Sequence, residues 1–538
     1  MTTVRLKECA LTTLVLAAAL SVVTWPQARF VGSHVVQHSD PYLSMWRLSW
    51  FAHAVESGVS LADANIFYPE KGSFTYSDTT FLQGVLGAPL LWLGISKVLV
   101  YNVLLACGFL ASGLAFFIVV REFGVGPLAA MVGAVIFTVA PARMDHIMHL
   151  ELQWFAAGIA AIGMTVMLAL RPSAMAAAGL AAAMALQFAS SVYYAVYLVP
   201  LLGIVWAGCL PTMPEIKRTL RLTVIAAVAS AILISPLAAL YIRRSAVVEE
   251  RTLKDIGQFS ALPINYLATP PQHLMLGQVT QSIGSGERRL FPGVLALVLA
   301  ITCVKTRRRY LAAMTFLFTA IAFDLSLGMN GLLYPWFYKL LPAWRGLRAP
   351  ARYGGFFLLG VSALAAMGWD HVLARIGGVG RLRASVLTGV LVAALCVEYL
   401  SPTHLVRVGD LPGVYVILNR LPPGVVLEYP TPAPDTLNEI QADYEYWSTF
   451  HWRPLINGYS GYYPTASLAR ERRLRAFPSD ATLAELKQLN VRYTIVHPWA
   501  ITGPRRAVVL RDLAIRKDVE HLGSFLDWQG DAEIFAIR

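Results

Sequence analysis

The first residue whose chemistry stands out is Asp40, which lies in the polar segment VQHSDPYLSMWRLSW that follows the first apolar stretch. A carboxylate a few residues beyond a membrane span is costly to keep unless it is used. Pro41 disfavours helix at Asp40 and leaves its carboxylate free before an amphipathic stretch at residues 43–55. Such a carboxylate can act as a general base toward a hydroxyl group, with His38 as a neighbouring substrate contact. Capping of the following helix is an equally good interpretation of Asp40.

A second cluster of reactive side chains occupies the short segment PARMDHIMHLE, residues 141–151. Asp145 and His149 are four residues apart, so a helix would place them on one face. Histidine and carboxylate are also metal ligands, and His146, His149 and Glu151 form one such set. Three interpretations stay open: an acid, Asp145 or Glu151, that contacts a hydroxyl group of a substrate, a divalent metal site, and a loop end that is merely solvated.

A third cluster consists of Arg345, Arg348 and Arg352 in the segment WRGLRAPAR. Guanidinium groups make strong bidentate contacts to phosphate. We prefer the interpretation that these arginines bind the phosphate of a lipid-linked substrate, and the alternative is that they anchor the chain to lipid headgroups. Arg288 and Arg289 could assist but look more ordinary.

The chain that carries these residues has the composition of an integral membrane protein. Of its 538 residues, 56% are apolar and 14% are charged, and the mean hydropathy is +0.56, whereas soluble domains carry roughly 25% charged residues. The net charge of +12 comes with arginines dispersed between apolar stretches. That pattern indicates lipid contact and orientation rather than binding of nucleic acid. The five cysteines show no metal-ligand spacing, so we expect no disulfide framework and no zinc knuckle.

The apolar stretches approach the length that crosses a bilayer core, about 20 residues. About eleven spans are predicted, at residues 9–25, 99–120, 127–141, 152–170, 173–190, 192–210, 222–242, 291–304, 310–328, 353–370 and 385–401. Residues 81–98 are also apolar, but glycines and a proline interrupt them, so we expect a helix against the membrane surface. The sequence thus predicts a polytopic α-helical membrane domain over residues 1–400.

Basic residues orient these spans. With eleven spans, one set of short loops is densely basic, and the positive-inside rule places that set in the cytoplasm. It carries Arg121, Arg171, Lys217, Arg218, Arg221, Lys305, Arg307, Arg308, Arg309, Arg375, Arg381 and Arg383. The N-terminus is then cytoplasmic and the C-terminal region lies outside. The predicted outer loops are residues 36–98, 141–151, 243–291 and 328–352. In this topology all three clusters face outward. Three arginines on an outer loop run against the positive-inside tendency, and this favours a specific role for them.

Residues 401–538 differ in composition from the rest of the chain. They contain alternating runs at 424–429 and 491–496 and a helical pattern at 481–489. Roughly 138 residues can form a core of their own, so we predict a mixed α/β extracytoplasmic domain. Aromatic residues beside carboxylates and amides at 443–447 and 457–464 suit stacking on sugar rings, although tyrosines also belong to ordinary cores and turns.

Several features of the membrane part occur in a recognisable order. A DP-bearing outer loop follows the first span, one span ends in REFG from Arg121, another ends in Ala140-Pro141, and an acidic outer loop follows. This order resembles the GT-C glycosyltransferases, which include the protein O-mannosyltransferases and the aminoarabinose transferases of lipid A. The segments DANIFYPEKGSFTYSD and WRGLRAPARYGG also resemble a bacterial GT-C subgroup related to proteins that glycosylate cell-wall polymers. The resemblance covers roughly residues 1–400.

The resemblance implies an inverting glycosyltransferase of the cytoplasmic membrane. Such an enzyme moves a sugar from a polyprenyl-phosphate carrier to a glycan, lipid or protein acceptor on the outer face. Asp40 matches the catalytic base, and Asp145, or else Glu151, matches the acid of the second outer loop. Pro41 stands where many relatives carry a second acid, and the Lys-Pro-Pro element of some relatives is absent, which leaves the mode of donor binding open. No cofactor is required by this assignment, and a divalent metal is compatible with it.

The residues support this chemistry independently of the resemblance. A lipid phosphate is already a good leaving group, so one base suffices, and Arg348 and Arg352 would stabilise the charge that develops on it. A transporter or flippase of lipid-linked saccharide would need ionisable residues near the membrane midplane and usually repeat symmetry, whereas the span interiors here are nearly uncharged. A catalytically inactive membrane scaffold is the other alternative.

Overall fold

The fold comes from a computed structural model that describes residues 3–244, 248–306, 308–376, 380–432 and 440–538. The chain divides into two compact units, each described by itself below. The helical unit comprises residues 1–31, 103–236 and 250–405, and the mixed unit comprises residues 32–102, 237–249 and 406–538. The mixed unit therefore joins the predicted first outer loop to the C-terminal region.

Helices dominate the chain. Over the described residues the α-helices are α1 (Thr3–Val23), α2 (Ser39–Ser57), α3 (Phe81–Trp92), α4 (Lys97–Glu122), α5 (Pro127–Val139), α6 (Pro141–Met144), α7 (Leu150–Gln153), α8 (Ala156–Leu170), α9 (Ala174–Ser190), α10 (Val192–Cys209), α11 (Ile216–Arg244), α12 (Leu253–Gln258), α13 (Gly277–Thr280), α14 (Val294–Thr302), α15 (Arg309–Ser326), α16 (Tyr334–Leu340), α17 (Pro342–Arg345), α18 (Gly354–Arg375), α19 (Arg381–Glu398), α20 (Gly413–Arg420), α21 (Gln441–Ser448), α22 (Thr465–Leu474), α23 (Asp480–Gln488) and α24 (Arg505–Ala514). The strands are β1 (His34–Val36), β2 (Leu405–Arg407), β3 (Val425–Tyr429), β4 (Val491–Val496), β5 (Val519–Leu526) and β6 (Asp531–Ile537).

Eight helical stretches among the described residues are long and apolar enough to cross a membrane. They are Arg5–Val23, Lys97–Glu122, Pro127–Met144, Leu150–Leu170, Val192–Thr212, Ile216–Arg244, Arg309–Ser326 and Pro350–Arg375. A helix hydrogen-bonds its own backbone N–H and C=O groups, and this is required in a bilayer core because lipid offers them no partners. The protein is thus a multi-pass α-helical membrane protein. The other three predicted spans also coincide with helices, but α9 and α14 are short and α19 carries charged residues at both ends.

The predicted surface helix at residues 81–98 is interrupted. Helix α3 covers 12 residues, ends at Trp92 and is followed by a turn in which Gly94 has a φ of +79°. This conformation favours glycine because it has no side chain. The chain then enters α4 at Lys97. Since 12 helical residues span about 18 Å, α3 is too short to cross a bilayer core, as predicted.

Helix α18 is central to the helical unit, where it packs against α5, α14 and α15. Glycines permit these contacts. A Cβ on Gly133 of α5 would lie 2.7 Å from the carbonyl oxygen of Ser362, and one on Gly368 would lie 2.0 Å from that of Leu299. Small residues of this kind let membrane helices approach closely.

The mixed unit contains a four-stranded sheet in the order β3-β4-β6-β5. Strands β3 and β4 are parallel, and β6 is antiparallel to both β4 and β5. The predicted strands at 424–429 and 491–496 correspond to β3 and β4, and the predicted helix at 481–489 corresponds to α23. Buried Leu427, Val496, Leu483 and Phe535 belong to one hydrophobic core. The mixed α/β assignment of the C-terminal region is therefore confirmed.

A fully buried group of charged side chains links three parts of this unit. His497 lies between two carboxylates, with Nδ1 at 2.6 Å from Asp527 and Nε2 at 2.7 Å from Glu428. The Trp499 indole also donates to Asp527, at 2.8 Å. Burial alone would lower the pKa of His497, but its hydrogen bonds to Asp527 and Glu428 and their charges raise it to about 9. The imidazolium therefore ties strand β3 to the segments that follow β4 and β5.

This arrangement predicts a stability that depends on pH. Because folding raises the pKa of His497 from 6.5 to about 9, its stabilising contribution is complete below pH 6.5. It is lost as the pH rises through 9, with a total on the order of 3 kcal/mol. We expect the unfolding temperature of the full-length protein in nanodiscs to fall from pH 6.5 to 9.5. Near-ultraviolet circular dichroism can follow this transition because Trp528 lies 5.2 Å from the imidazole.

The variant His497→Gln should lose most of this pH dependence. His521→Gln is the matched control, since His521 is half-exposed and pairs with Glu533 at the surface. Equal pH slopes in wild type and His497→Gln would contradict the assignment.

Candidate active site

The predicted second outer segment, residues 141–151, is not one helix, contrary to the spacing argument for Asp145 and His149. Helix α5 ends before Pro141, α6 is a single turn, residues 145–148 form a turn, and α7 begins at Leu150. Pro141 lacks the amide proton that would continue the ladder of α5. Asp145 and His149 therefore do not share a helix face, and tertiary contacts decide where they lie.

Arg143 holds this turn in place. Its guanidinium donates to Gln153 Oε1 at 3.0 Å and to the carbonyl oxygens of Gln153 and Phe137 at 2.7 and 3.2 Å. The rings of Phe109 and Phe137 lie 4.7 Å from it. Gln153 in turn donates to the carbonyl oxygen of His146 at 2.7 Å. A buried arginine satisfied in this way fixes the backbone on which the titratable residues stand.

A buried ion pair of the helical unit joins Arg352 to Glu287. Arg352 Nε donates to both carboxylate oxygens, at 3.1 and 3.0 Å, and Nη2 donates to one of them at 2.5 Å. Both side chains are buried, and the Tyr193 ring lies 4.5 Å from the guanidinium. His146 and His149 approach the same carboxylate, at 3.8 and 3.9 Å. Glu287 was not predicted, because only the fold brings the 243–291 loop to this position.

A second ion pair lies beside the first. Arg289 donates to Asp145 Oδ1 at 3.2 Å. Burial raises the pKa of Asp145 to about 6, although Arg289 opposes the rise. Burial also opposes ionisation of Glu287, but the charge of Arg352 and its hydrogen bonds hold the pKa of Glu287 well below its usual range. Burial lowers the pKa of His146 to about 4, so this imidazole is neutral at pH 7.

His146, His149 and Glu287 could also hold a metal ion, since one ligand atom from each lies within 4.8 Å of the others. Two imidazoles and a carboxylate suit Zn²⁺ better than Mg²⁺. Glu287 takes the place of Glu151 in the predicted metal set, because the ligand atoms that converge are those of His146, His149 and Glu287. A cation would compete with Arg352, which already neutralises the carboxylate. The donor types therefore fit a metal, while the charge balance is already complete without one.

The three arginines of the WRGLRAPAR segment have different partners. Arg345 donates to the carbonyl oxygens of Tyr338 and Lys339, at 3.4 and 3.3 Å. Arg352 is paired with Glu287, as described above. The Arg348 guanidinium lies 5.1 Å from the ring of Phe259. Among the residues described, no carboxylate is within ion-pair distance of it. Arg348 is thus the member of the set best able to accept a new anion.

Asp40 lies in the mixed unit, in the first turn of α2. The helix begins at Ser39, and His38 is its N-cap, with Nδ1 accepting from the Asp40 amide at 3.1 Å. The predictions that Asp40 lies outside the helix or caps it are therefore wrong. A proline is tolerated in the first turn because the amides there have no partner within the helix. An acidic residue in the first turn is also well placed with respect to the positive end of the helix dipole.

The Asp40 carboxylate meets a residue of the C-terminal region. Tyr459 Oη donates to Asp40 Oδ1 at 3.1 Å, and the Asp40 side chain keeps 17% of its surface exposed. Beside it is a cavity of about 460 Å³ lined by His38, Ser39, Pro432, Tyr459, Tyr463, Leu468 and Glu471. Burial raises the pKa of Glu471 to about 7, against the charges of Arg475 and Arg470. Such a cavity has the size and the mixed polar and aromatic lining of a ligand site.

The position of Tyr459 is determined by its neighbours. Asn457 exchanges two hydrogen bonds with the backbone of Glu428, at 2.8 and 2.9 Å, and the Tyr459 amide donates to buried Glu445 at 2.5 Å. At Gly458 a Cβ would lie 2.5 Å from the Phe67 ring, so only glycine fits. The sequence had marked residues 457–464 for stacking on sugars or for a turn, but no pattern indicated a contact with Asp40.

Comparison with solved structures gives a consistent result. ArnT from Cupriavidus metallidurans matches over 97% of both chains, with a TM-score of 0.53 and 14% identity. The arabinofuranosyltransferase AftD from Mycobacteria matches 97% of this chain at a TM-score of 0.56 and 15% identity. The archaeal oligosaccharyltransferase AglB from Archaeoglobus fulgidus matches 92% of this chain and 69% of its own length. Its TM-score is 0.50 and its sequence identity is 12%.

The chain has the GT-C fold. This confirms the fold that the order of features in the sequence implied. The chain spans 41% of the length of AftD. No protein-family description matches the sequence, and no curated protein matches it. At these identities the likeness concerns the fold, and the activity has to be argued from the site.

The buried ion pair generates a prediction about stability. Replacing Arg352 by alanine would leave Glu287 buried without its main partner, which typically costs about 3–5 kcal/mol. We therefore expect Arg352→Ala to lower the unfolding temperature of the purified protein in nanodiscs markedly. Arg345→Ala is the matched control, because Arg345 is half-exposed and bonds only to two backbone carbonyls.

A double variant separates charge from packing. Arg352→Met combined with Glu287→Leu removes both charges and should recover much of the lost stability. Equal unfolding temperatures for Arg352→Ala and Arg345→Ala would show that loss of the Arg352–Glu287 pair costs no more stability than loss of the Arg345 contacts.

Proposed function

We propose that this chain is an inverting glycosyltransferase that moves a sugar from a polyprenyl-phosphate-linked donor to an acceptor on the outer face of the cytoplasmic membrane. The observation that carries the proposal is the Asp40 carboxylate, oriented by Tyr459 at the head of α2 and beside a polar and aromatic cavity. The GT-C fold supports it, since AftD and AglB, which share that fold, are glycosyltransferases and AglB was solved with a dolichol-phosphate.

In the proposed mechanism Asp40 is the general base. An acceptor hydroxyl group gives its proton to the carboxylate as its oxygen attacks the anomeric carbon, and the bond to the lipid phosphate breaks on the opposite side. General-base catalysis contributes typically ~10² to 10⁴-fold. The hydrogen bond from Tyr459 fixes the orientation of the Asp40 carboxylate. His38 and Glu471 line the same cavity and are the proposed contacts of the acceptor.

The donor phosphate is assigned to the arginines of the helical unit. Arg348 would bind it directly, because its guanidinium has no carboxylate partner among the residues described. Arg352 and Arg289 contribute positive charge but are already paired with Glu287 and Asp145. In this assignment Asp145 positions Arg289, while His149 and Glu151 surround the Arg352 pair. The phosphate departs as a stable anion, so no general acid is required.

The location of the protein follows the same proposal. The short loops on one side of the predicted spans are densely basic, which supports a cytoplasmic N-terminus and an extracytoplasmic C-terminal region. The acceptor is a hydroxyl group of a glycan, a lipid or a protein, and membrane lipid is the surrounding partner.

Transfer of labelled sugar from polyprenyl-phosphate donors in nanodiscs tests the proposed reaction. We expect Asp40→Asn to lose transfer by at least about 10²-fold with donor binding intact, because an amide cannot accept the proton. Tyr459→Phe should retain transfer but lower kcat roughly tenfold, because one hydrogen bond that orients the carboxylate is lost. Asp531→Asn is the control, as Asp531 is exposed at the start of β6.

Undiminished transfer by Asp40→Asn would exclude Asp40 as the base. If the wild type transfers sugar from no polyprenyl-phosphate donor, the proposed activity fails, and a transporter of lipid-linked saccharide or an inactive scaffold becomes the better description.

The donor assignment makes a separate prediction. Arg348→Ala should raise the KM for the polyprenyl-phosphate donor by roughly 10- to 100-fold, the loss of one charged hydrogen-bonding partner. Arg383→Ala is the matched control, because Arg383 is exposed at the start of α19 and falls on the cytoplasmic side of the predicted topology. Steady-state kinetics at a saturating acceptor concentration measure the donor KM of both variants. Equal effects of the two substitutions would remove the phosphate role of Arg348.

A further inference from the structure

A second large cavity of the mixed unit lies away from the residues assigned to sugar transfer. Its volume is about 520 Å³, within the range of about 300–1,000 Å³ that is usual for ligand sites. Parts of α2, the end of α3, the start of α4 and the segments around residues 407–410 and 446–452 form its walls. Glu56, Lys97, Arg407, Asp410 and Trp452 are the lining residues that determine its chemistry.

Lys97 is held in this cavity by neutral groups. Its Nζ donates to the hydroxyl oxygen of Thr449, lies 3.4 Å from the Thr449 carbonyl oxygen and sits 3.5 Å from the centre of the Phe450 ring. No carboxylate of the described residues is within ion-pair distance of it. A half-buried ammonium group without a counter-charge is costly. An anionic group of a ligand would offset that cost.

The cavity also carries negative charge. Glu56 is exposed at its wall, and Asp410 is fully exposed and 4.0 Å from Arg407. The two carboxylates in the lining of the same cavity make it a poor match for a simple anion. A ligand with a phosphate at one end and an ammonium group at the other satisfies both signs at once.

The surroundings of the cavity suit a membrane lipid. Lys97 begins a helix that is long and apolar enough to span the membrane. The preceding helix α3 exposes Val85 and Leu86, with 45% and 44% of their surfaces accessible, and Trp92 with 49%. Such residues lie favourably at the level of headgroups and upper acyl chains.

One wall of the cavity is aromatic. The Trp452 indole stacks on His53 at 4.2 Å and 8°, and Trp452 has a φ of +53°. A tryptophan rarely adopts this backbone conformation, so the surrounding structure must hold it there, as is common at ligand sites. The aromatic wall would face the glycerol and ammonium portion of a headgroup.

From these observations we propose that the cavity binds the headgroup of phosphatidylethanolamine, with its phosphate on Lys97 and its ammonium group on Glu56. This site is independent of the proposed sugar transfer, because none of its lining residues has a role there.

Native mass spectrometry of the full-length protein with three lipids tests the site. The lipids are phosphatidylethanolamine, phosphatidylglycerol and phosphatidylcholine with identical acyl chains. We expect phosphatidylethanolamine to bind most tightly. Lys97→Met should weaken its binding roughly tenfold through loss of the charged hydrogen bond. Glu56→Gln should reduce its affinity to that of phosphatidylcholine, whose quaternary ammonium donates no hydrogen bond to a carboxylate.

Lys254→Met, a substitution at an exposed lysine of the helical unit, should leave all three affinities unchanged. Equal affinity for the three lipids, a preference for phosphatidylglycerol, or no effect of Glu56→Gln would overturn the proposal. Glu56 is exposed and the substitution preserves its shape, so this variant decides the matter even if Lys97→Met does not fold.

Discussion

A charge next to apolar helices persists only where an opposite charge or a complete set of hydrogen bonds meets it, and the helical unit depends on this constraint. Arg143 is satisfied by Gln153, backbone carbonyls and two aromatic rings, and it thereby fixes the turn after α5. Arg352 is satisfied by Glu287. These contacts connect the turn after α5 and the segment before α18 with the segment around Glu287, and they position the titratable residues.

The mixed unit positions its candidate residues by combining distant parts of the chain in one core. Asn65 of the first loop donates to Ser448 and to the carbonyl oxygen of Arg453, and the Phe67 amide donates to the carbonyl oxygen of Asn457. Asp40 receives its hydrogen bond from Tyr459, which is 419 positions later. The C-terminal region is therefore not an appended module. It builds the surroundings of the carboxylate that we assign as the base.

The different roles that we assign to the three arginines also follow from their tertiary contacts. Three guanidinium groups that look equivalent in WRGLRAPAR differ once their neighbours are known: Arg345 bonds to carbonyls, Arg352 to a carboxylate, and Arg348 lies against the ring of Phe259. Lys97 resembles Arg348 in this respect, because its neighbours Thr449 and Phe450 are neutral. Charges without counter-charges are where ligands are most reasonably sought, and both proposals on phosphate binding follow from that difference.

Sequence by itself determined the features that depend on composition and local pattern. Long apolar stretches identified the membrane helices, the broken pattern before Lys97 identified α3 as non-spanning, and alternation identified β3 and β4. The order of motifs indicated the GT-C fold. Tertiary structure alone decided the partners: Glu287 rather than Glu151 beside the histidines, Arg289 on Asp145, and Tyr459 on Asp40. Periodicity reports which face of an element is buried, but it carries no information about which distant side chain meets it there.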